Sequence, residues 1–243
     1  MQKTAVVTGA ASGIGRSVAL RLAREGFDVL GVDMNAAGLT KLEERGIRTL
    51  VADLALADDR DRVVAQGAGA SALANVAGVT MLKPILDVEI EDIRTLYAVN
   101  VESVWDLTSR IGRTMPPGGA IVNVSSSAAK HPVMTDAAVY ASSKAAVLSL
   151  TRSFAYTFAP SVRVNAICPG AIDTPMRDAA LAAQAKNAGV AAGQLGEQRI
   201  ADVPLQRIAT PDECAGAIWF LLSDEAGFMT GQAMNFTGGL IAW

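Results

Sequence analysis

The sequence predicts an α/β fold in one domain over residues 1–243: a doubly wound sheet of about seven parallel strands with helices on both faces. Three observations predict it. Short apolar runs of strand length recur along the chain, longer stretches with helical spacing separate them, and most of the runs end at Gly, Asp, Asn or Ser, where a chain turns. Strands alternating with helices form βαβ units, and a parallel sheet covered on both faces turns its strands into nearly continuous apolar runs.

The predicted strands are 5–8, 29–32, 49–52, 72–77, 120–124, 163–167 and 233–236. In the first helix Val18, Ala19, Leu22 and Ala23 share a face while Arg16, Arg21 and Arg24 point elsewhere. A run of charge at 58–62 reads as a solvated helix start. A helix is expected over about 142–158, with Ala145, Leu148 and Phe154 apolar, and another over 211–222. The latter is entered by Thr210-Pro211-Asp212-Glu213: a cap, a proline at the first position, then acids. The Ala- and Gln-rich stretch 177–202 is expected to form a mobile flap over a ligand crevice.

Composition narrows the function. The chain is 51% apolar and 19% charged, which excludes a disordered chain, and its net charge of −3 argues against a general grip on nucleic acid. Two cysteines, Cys168 and Cys214, exclude a disulfide scaffold and fit a reducing cytoplasm. A single histidine, His131, argues against zinc. The first residues run straight into an apolar stretch that ends at Gly9, too short for a signal peptide, and no apolar run is long enough to span a bilayer. These features predict a protein of the cytoplasm with no membrane partner.

Three motifs carry chemistry. Thr8-Gly9-Ala10-Ala11-Ser12-Gly13-Ile14-Gly15 lies between the first strand and first helix, where glycines let the backbone approach a pyrophosphate and the helix start offers unpaired N–H groups. Asp33 ends the second strand eighteen residues after Gly15. An acid there accepts both ribose hydroxyls of an adenosine and repels a 2′-phosphate; with no compensating cation at Ser12 or Met34, NAD is favoured over NADP. Tyr140 and Lys144 stand four residues apart, on one helix face, where an ammonium beside a phenol favours phenolate and lowers its pKa. Tyr140 would then serve as a general acid–base.

The TGxxxGIG turn and YxxxK, in this order and spacing, resemble the short-chain dehydrogenase/reductase family, in its compact single-domain branch with a Rossmann-like fold. The resemblance covers nearly the whole chain and implies further roles. Gly9, Ser12, Gly13, Ile14, Gly15, Asp33 and Met34 would hold the adenosine and pyrophosphate, and Asp53-Leu54 would contact the adenine ring. Asn75, Ala77 and Gly78 match the family's NNAG beside the cofactor, with Val76 in place of its second asparagine. Asn100 resembles the helix asparagine that holds a water on a proton relay to the lysine. Pro169, Gly170, Ile172 and Thr174 match the PGxIxT turn that grips the nicotinamide half.

Two serines compete for the catalytic position. The strand pattern NxSS selects Ser126, and the family's usual gap of thirteen residues to the tyrosine selects Ser127. Strand register is stiffer than loop length, so Ser126 is preferred, with Ser125 structural. The segment from Asp53 to Asn75 is short, which implies a clipped third helix; Thr237 replaces an acid of mainly structural role. Lys130 and His131 stand where the family often has glycine and could face substrate, or lie in a solvated loop. Trp243 is expected at an interface or against the flap.

The resemblance therefore implies an NAD-dependent oxidoreductase interconverting a secondary alcohol and a ketone, with Ser126, Tyr140, Lys144 and Asn100 as the catalytic set, and a homotetramer built from helix pairs and the C-terminal strand. An NADPH-dependent 3-oxoacyl-carrier-protein reductase and a non-catalytic dinucleotide-binding sensor remain as alternatives.

Overall fold

The computed structural model describes residues 3–131 and 135–242; Trp243 lies outside the described residues. Among these, seven strands form one parallel sheet in the order β3-β2-β1-β4-β5-β6-β7. The strands are β1 (Thr4–Thr8), β2 (Asp28–Asp33), β3 (Arg48–Val51), β4 (Ala72–Asn75), β5 (Gly119–Val124), β6 (Val162–Pro169) and β7 (Ala233–Phe236). All seven coincide with the apolar runs of the sequence. β4 is two residues shorter than expected, because the amides of Val76 and Ala77 turn to the Thr8 hydroxyl at 3.0 and 3.1 Å. Thr8 thereby joins the ends of β1 and β4, the pair of neighbours from which the strand order runs outward in opposite directions. That switch point is where an open α/β sheet opens a crevice.

Parity along the strands sorts the core into two layers, as a period of two requires. Ala5 and Val7 of β1, with Ala72, Ala74, Ala120 and Val122, pack on α1 (Gly13–Arg24), α2 (Ala36–Glu43) and α9 (Pro211–Leu222). Val6, with Leu30, Leu73, Ile121 and Val164, packs on α3 (Ala57–Gly67), α5 (Ser103–Gly112) and α6 (Ala138–Phe158). Leu22, Leu107, Ile111 and Ile218 are wholly buried, each stabilising the fold by about 1.5–3 kcal/mol.

α6 begins at Ala138, four residues earlier than its apolar pattern suggests, and so takes in Tyr140. α4 (Ile90–Tyr97) passes into α5 through a π-helical segment, Ala98–Glu102, that carries Asn100. The expected flap is helical: α7 (Pro175–Ala188) turns at Gly189, in the left-handed region at φ 67°, into α8 (Ala192–Ala201). No helix among the described residues is long and apolar enough to cross a membrane.

Candidate active site

The glycine turn is built by close approach. Gly9, at φ 68°, passes so near β4 that a Cβ would lie 2.9 Å from Ala77 Cα. Gly15 lies against Gly9, where a Cβ would stand 2.0 Å from the Gly9 carbonyl oxygen. Gly13 opens α1 at φ 49° and faces Thr174, whose Cγ2 would lie 3.0 Å from an added Cβ. Thr174 is the cap of α7, its hydroxyl accepting from the Arg177 amide at 3.3 Å. The turn and the PGxIxT segment therefore face one another. Pro169 pairs with Phe236, Gly170 donates to the Phe236 carbonyl at 2.9 Å, and Ile172 bridges Ala209.

The start of α1 has no internal partner. Ser12, its cap residue, makes no side-chain cap bond, and no acid stands in the first turn. The N–H groups and positive dipole end are left for an anion, and the donor set fits the pyrophosphate of a dinucleotide. Asp33 fits the adenosine end. Its Oδ2 accepts from the Ala11 amide at 3.0 Å and its Oδ1 from Asn35 at 2.9 Å, which fixes the carboxylate beside the glycine turn; Met34 next to it is exposed. A cleft of about 430 Å³ adjoins this end, lined among others by Ser12, Gly13, Asn35 and the cations Arg16 and Lys41. Arg16, which the sequence places off the apolar face of the first helix, thus flanks the crevice.

The Asp53-Leu54 loop is held by the charged run at 58–62, which is more than a solvated helix start. Asp59 Oδ2 accepts from the Asp53 amide at 2.7 Å, and Arg60 donates to the Leu54 and Ala55 carbonyls at 2.8 and 3.1 Å while pairing with Asp106 at 3.0 Å. The buried Nδ2 of Asn75 donates to Thr108 at 3.0 Å and to Asn123 at 2.8 Å, while its buried Oδ1 has no partner among the described residues.

Two of the expected residues, Lys144 and Asn100, converge on Gly78. A Cβ there would lie 3.1 Å from Lys144 Nζ and 3.2 Å from Asn100 Oδ1, so only glycine leaves room for both. The Asn100 amide is clamped to Val79, accepting from its N–H and donating to its carbonyl, each at 2.9 Å, and donates to the Ser143 hydroxyl at 3.0 Å. Lys144 is 3% exposed and donates to the Val124 carbonyl at 2.9 Å, with its ammonium 6.0 Å from the Tyr140 ring centre. The Ser126 side chain lies close enough to the Tyr140 phenol to draw its pKa down. Ser125 donates to the Lys144 carbonyl at 2.7 Å.

The electrostatics depart from the sequence reading. Burial pushes the Tyr140 phenol above its ordinary value of 10.0, and the Ser126 hydrogen bond only partly opposes this. Burial also pulls Lys144 down to about 8, with a smaller opposing contribution from Cys168. At the phenol desolvation outweighs hydrogen bonding, while the ammonium is engaged with the Val124 carbonyl. Cys168 is wholly buried, and burial pushes its thiol up, as befits packing. The flap helices enclose a separate cleft of about 370 Å³, lined by Arg177, Leu181, Gly196 and Ile200 among others, which includes none of Ser126, Tyr140 and Lys144.

Comparisons with known proteins show what the chain is similar to. A family model described as enoyl-(acyl carrier protein) reductase matches residues 9–241. The chain is 34% identical to an L-2,3-butanediol dehydrogenase of Corynebacterium glutamicum, over 99% of each protein. It is also 34% identical to the 3-oxoacyl-[acyl-carrier-protein] reductase FabG of Thermotoga maritima, over 98% of each. A short chain dehydrogenase from Burkholderia cenocepacia, solved in complex with NADP, superposes with a TM-score of 0.87 at 28% identity, covering 99% of this chain and 98% of that one.

Proposed function

The chain belongs to the short-chain dehydrogenase/reductase family of oxidoreductases, and from that premise we propose that it interconverts a secondary alcohol and a ketone with NAD as cofactor. The observation that carries this reading is the Tyr140 phenol, close to the Ser126 side chain and with the buried ammonium of Lys144 6.0 Å from its ring centre.

A substrate oxygen fits between the two hydroxyls. When bound, the nicotinamide supplies the hydride donor or acceptor. Tyr140 exchanges the proton with the substrate oxygen, and Ser126 donates to that oxygen as charge develops on it. Lys144 places a cation near the phenol, and Asn100 holds the loop that follows β4 at Val79. The raised phenol is protonated at neutral pH, ready as an acid for ketone reduction; alcohol oxidation needs the phenolate and is favoured by rising pH. A small diol, a sugar and a hydroxy-ester form the natural substrate panel.

NAD is supported by Asp33. Two backbone amides hold its carboxylate in place, so a 2′-phosphate would meet a fixed like charge. The second reading, an NADPH-dependent 3-oxoacyl-carrier-protein reductase, is favoured by the Thermotoga relative and by Arg16 and Lys41 beside the crevice. Fluorescence titration separates the two: NADH should bind at least about tenfold tighter than NADPH, and the reverse order overturns the NAD reading. Absorbance at 340 nm across the panel should reveal turnover, and Tyr140→Phe should lower it by a factor on the order of 10²–10⁴ with dinucleotide binding nearly intact. Turnover by that variant at the wild-type rate refutes the proton donor. Trp105 on α5, Tyr156 on α6 and Phe228 before β7 stand exposed, which supports a homotetramer through helix pairs and the last strand; a monomeric mass by light scattering overturns it.

A further inference from the structure

Ser126 lies just beyond β5, at the head of a single helical turn, Ser127–Ala129. The Ala128 amide donates to the Ser126 hydroxyl at 3.2 Å, the Ala129 amide to the Ser126 carbonyl at 3.1 Å, and the Lys130 amide to the Ser127 carbonyl at 3.0 Å. Lys130 closes this turn, and its side chain leaves it. The half-buried ammonium crosses to β7, where it donates to the Ala233 carbonyl at 2.8 Å and to Asn235 Oδ1 at 2.7 Å. Two of its three N–H groups are thus engaged with a strand about a hundred residues away, so Lys130 is neither loosely solvated nor aimed at substrate.

The anchor is itself anchored. Ala233 to Phe236 pair with β6 from Ala166 to Pro169. Asn235 Nδ2 donates to the Ile241 carbonyl at 3.4 Å, and the Thr237 hydroxyl accepts from the Ile241 amide and donates to the Ile241 carbonyl, each at 3.2 Å. The turn behind Ser126 therefore has β5 at one end and a charge-assisted tie to the sheet's last strand at the other. Such bonds are about twice as strong as neutral ones.

We infer that Lys130 is a positioning residue, which pins the turn to β7 and so holds the Ser126 hydroxyl against that of Tyr140. The inference rests on the reading of Ser126 as the donor to the substrate oxygen.

The test uses Lys130→Met, which keeps chain length and removes the donor, and Lys130→Arg, which restores it. Hydrogen exchange of the amides of Ala128, Ala129, Lys130 and His131 should accelerate about tenfold in Lys130→Met, with those of Val122 and Val124 in β5 unchanged. On a turned-over substrate, kcat should fall about tenfold with dinucleotide affinity within twofold, and Lys130→Arg should recover it to within threefold. In a Ser126→Ala background the same Lys130→Met change should lower kcat less than about twofold, since its effect would already be lost. Unchanged exchange overturns the inference. So does an equal kinetic loss in both backgrounds, because Lys130 would then act on the fold at large. A wild-type chain that turns over no member of the panel refutes the functional reading instead, and the exchange measurement, which needs no substrate, keeps the two failures apart.

Discussion

Two helices, α1 and α9, pack side by side on the same face of the sheet, and Ser12, Gly13 and Pro211 at their starts line one cleft. The starts are finished in opposite ways. At α9 the Thr210 hydroxyl accepts from the Glu213 amide at 3.2 Å, the Glu213 carboxylate accepts from the Thr210 amide at 2.8 Å, and Arg207 pairs with Glu213 at 2.6 Å. At α1 the cap residue makes no side-chain bond and no acid stands in the first turn. The contrast teaches that an open helix start in this protein is selective. α9 caps its Glu213 amide with a side chain, whereas α1 has no side-chain cap, an arrangement that suits an anion at its start.

Four substitutions break or sharpen that contrast. The largest effect is expected from Gly15→Ala, whose Cβ would lie 2.0 Å from the Gly9 carbonyl oxygen. Calorimetry should register a loss of about 3 kcal/mol or more, with dinucleotide binding abolished. An unshifted Tm would mean that the turn relaxes freely and is no rigid cradle. Next, Ser12→Asp makes α1 resemble α9. The cofactor-free protein should gain about 1 kcal/mol while NADH binds at least about tenfold more weakly. Equal or tighter NADH binding would remove the electrostatic half of the comparison.

Thr210→Ala probes the closed start. It should cost about 1 kcal/mol by urea unfolding and leave NADH affinity within twofold. A large loss of affinity would mean that both starts serve the ligand. The smallest effect concerns pH. Arg207 and then the Thr210 amide hold the exposed Glu213 carboxyl at about 2, below its ordinary value of 4.5. A folded-state value below the unfolded one gives a contribution that is fully present above pH 4.5 and lost as pH falls toward 2. Urea midpoints of wild type should therefore fall more steeply through that window than those of Glu213→Gln; parallel curves would show the pairing to be screened by solvent.

Much of the fold was legible because its signals are local. The seven strands are buried on both faces and read as apolar runs, and Thr210-Pro211-Asp212-Glu213 announces α9 to the residue. What escaped depends on distant partners. Arg60 looks solvated until Asp106, forty-six residues on, folds against it. Lys130 has no sequence cue that points to Ala233. Helices α7 and α8 carry no clear apolar stripe, since six of the fourteen residues of α7 are alanine and α8 contains Gly193 and Gly196, so their pattern resembles a loop. The grouping of Asn100, Lys144 and Gly78 was legible through motif, but the electrostatics there were not. A Tyr and Lys four apart suggest a lowered phenol pKa, and only the depth at which Tyr140 and Lys144 lie reverses that for the cofactor-free protein.

The reciprocal bonds at the end of β5 have a consequence for how this protein can diverge. The Lys144 ammonium grips the Val124 carbonyl, and the Ser125 hydroxyl grips the Lys144 carbonyl. Helix and strand are riveted at one height, so neither slides by a turn without tearing both bonds. The gap from Ser126 to Tyr140 is thus gauged by rigid parts, and the count of residues joining them is released from that duty. Evolution is left at liberty to splice that connection longer or shorter, recontouring the mouth of the cleft while Ser126 and Tyr140 stay where they are.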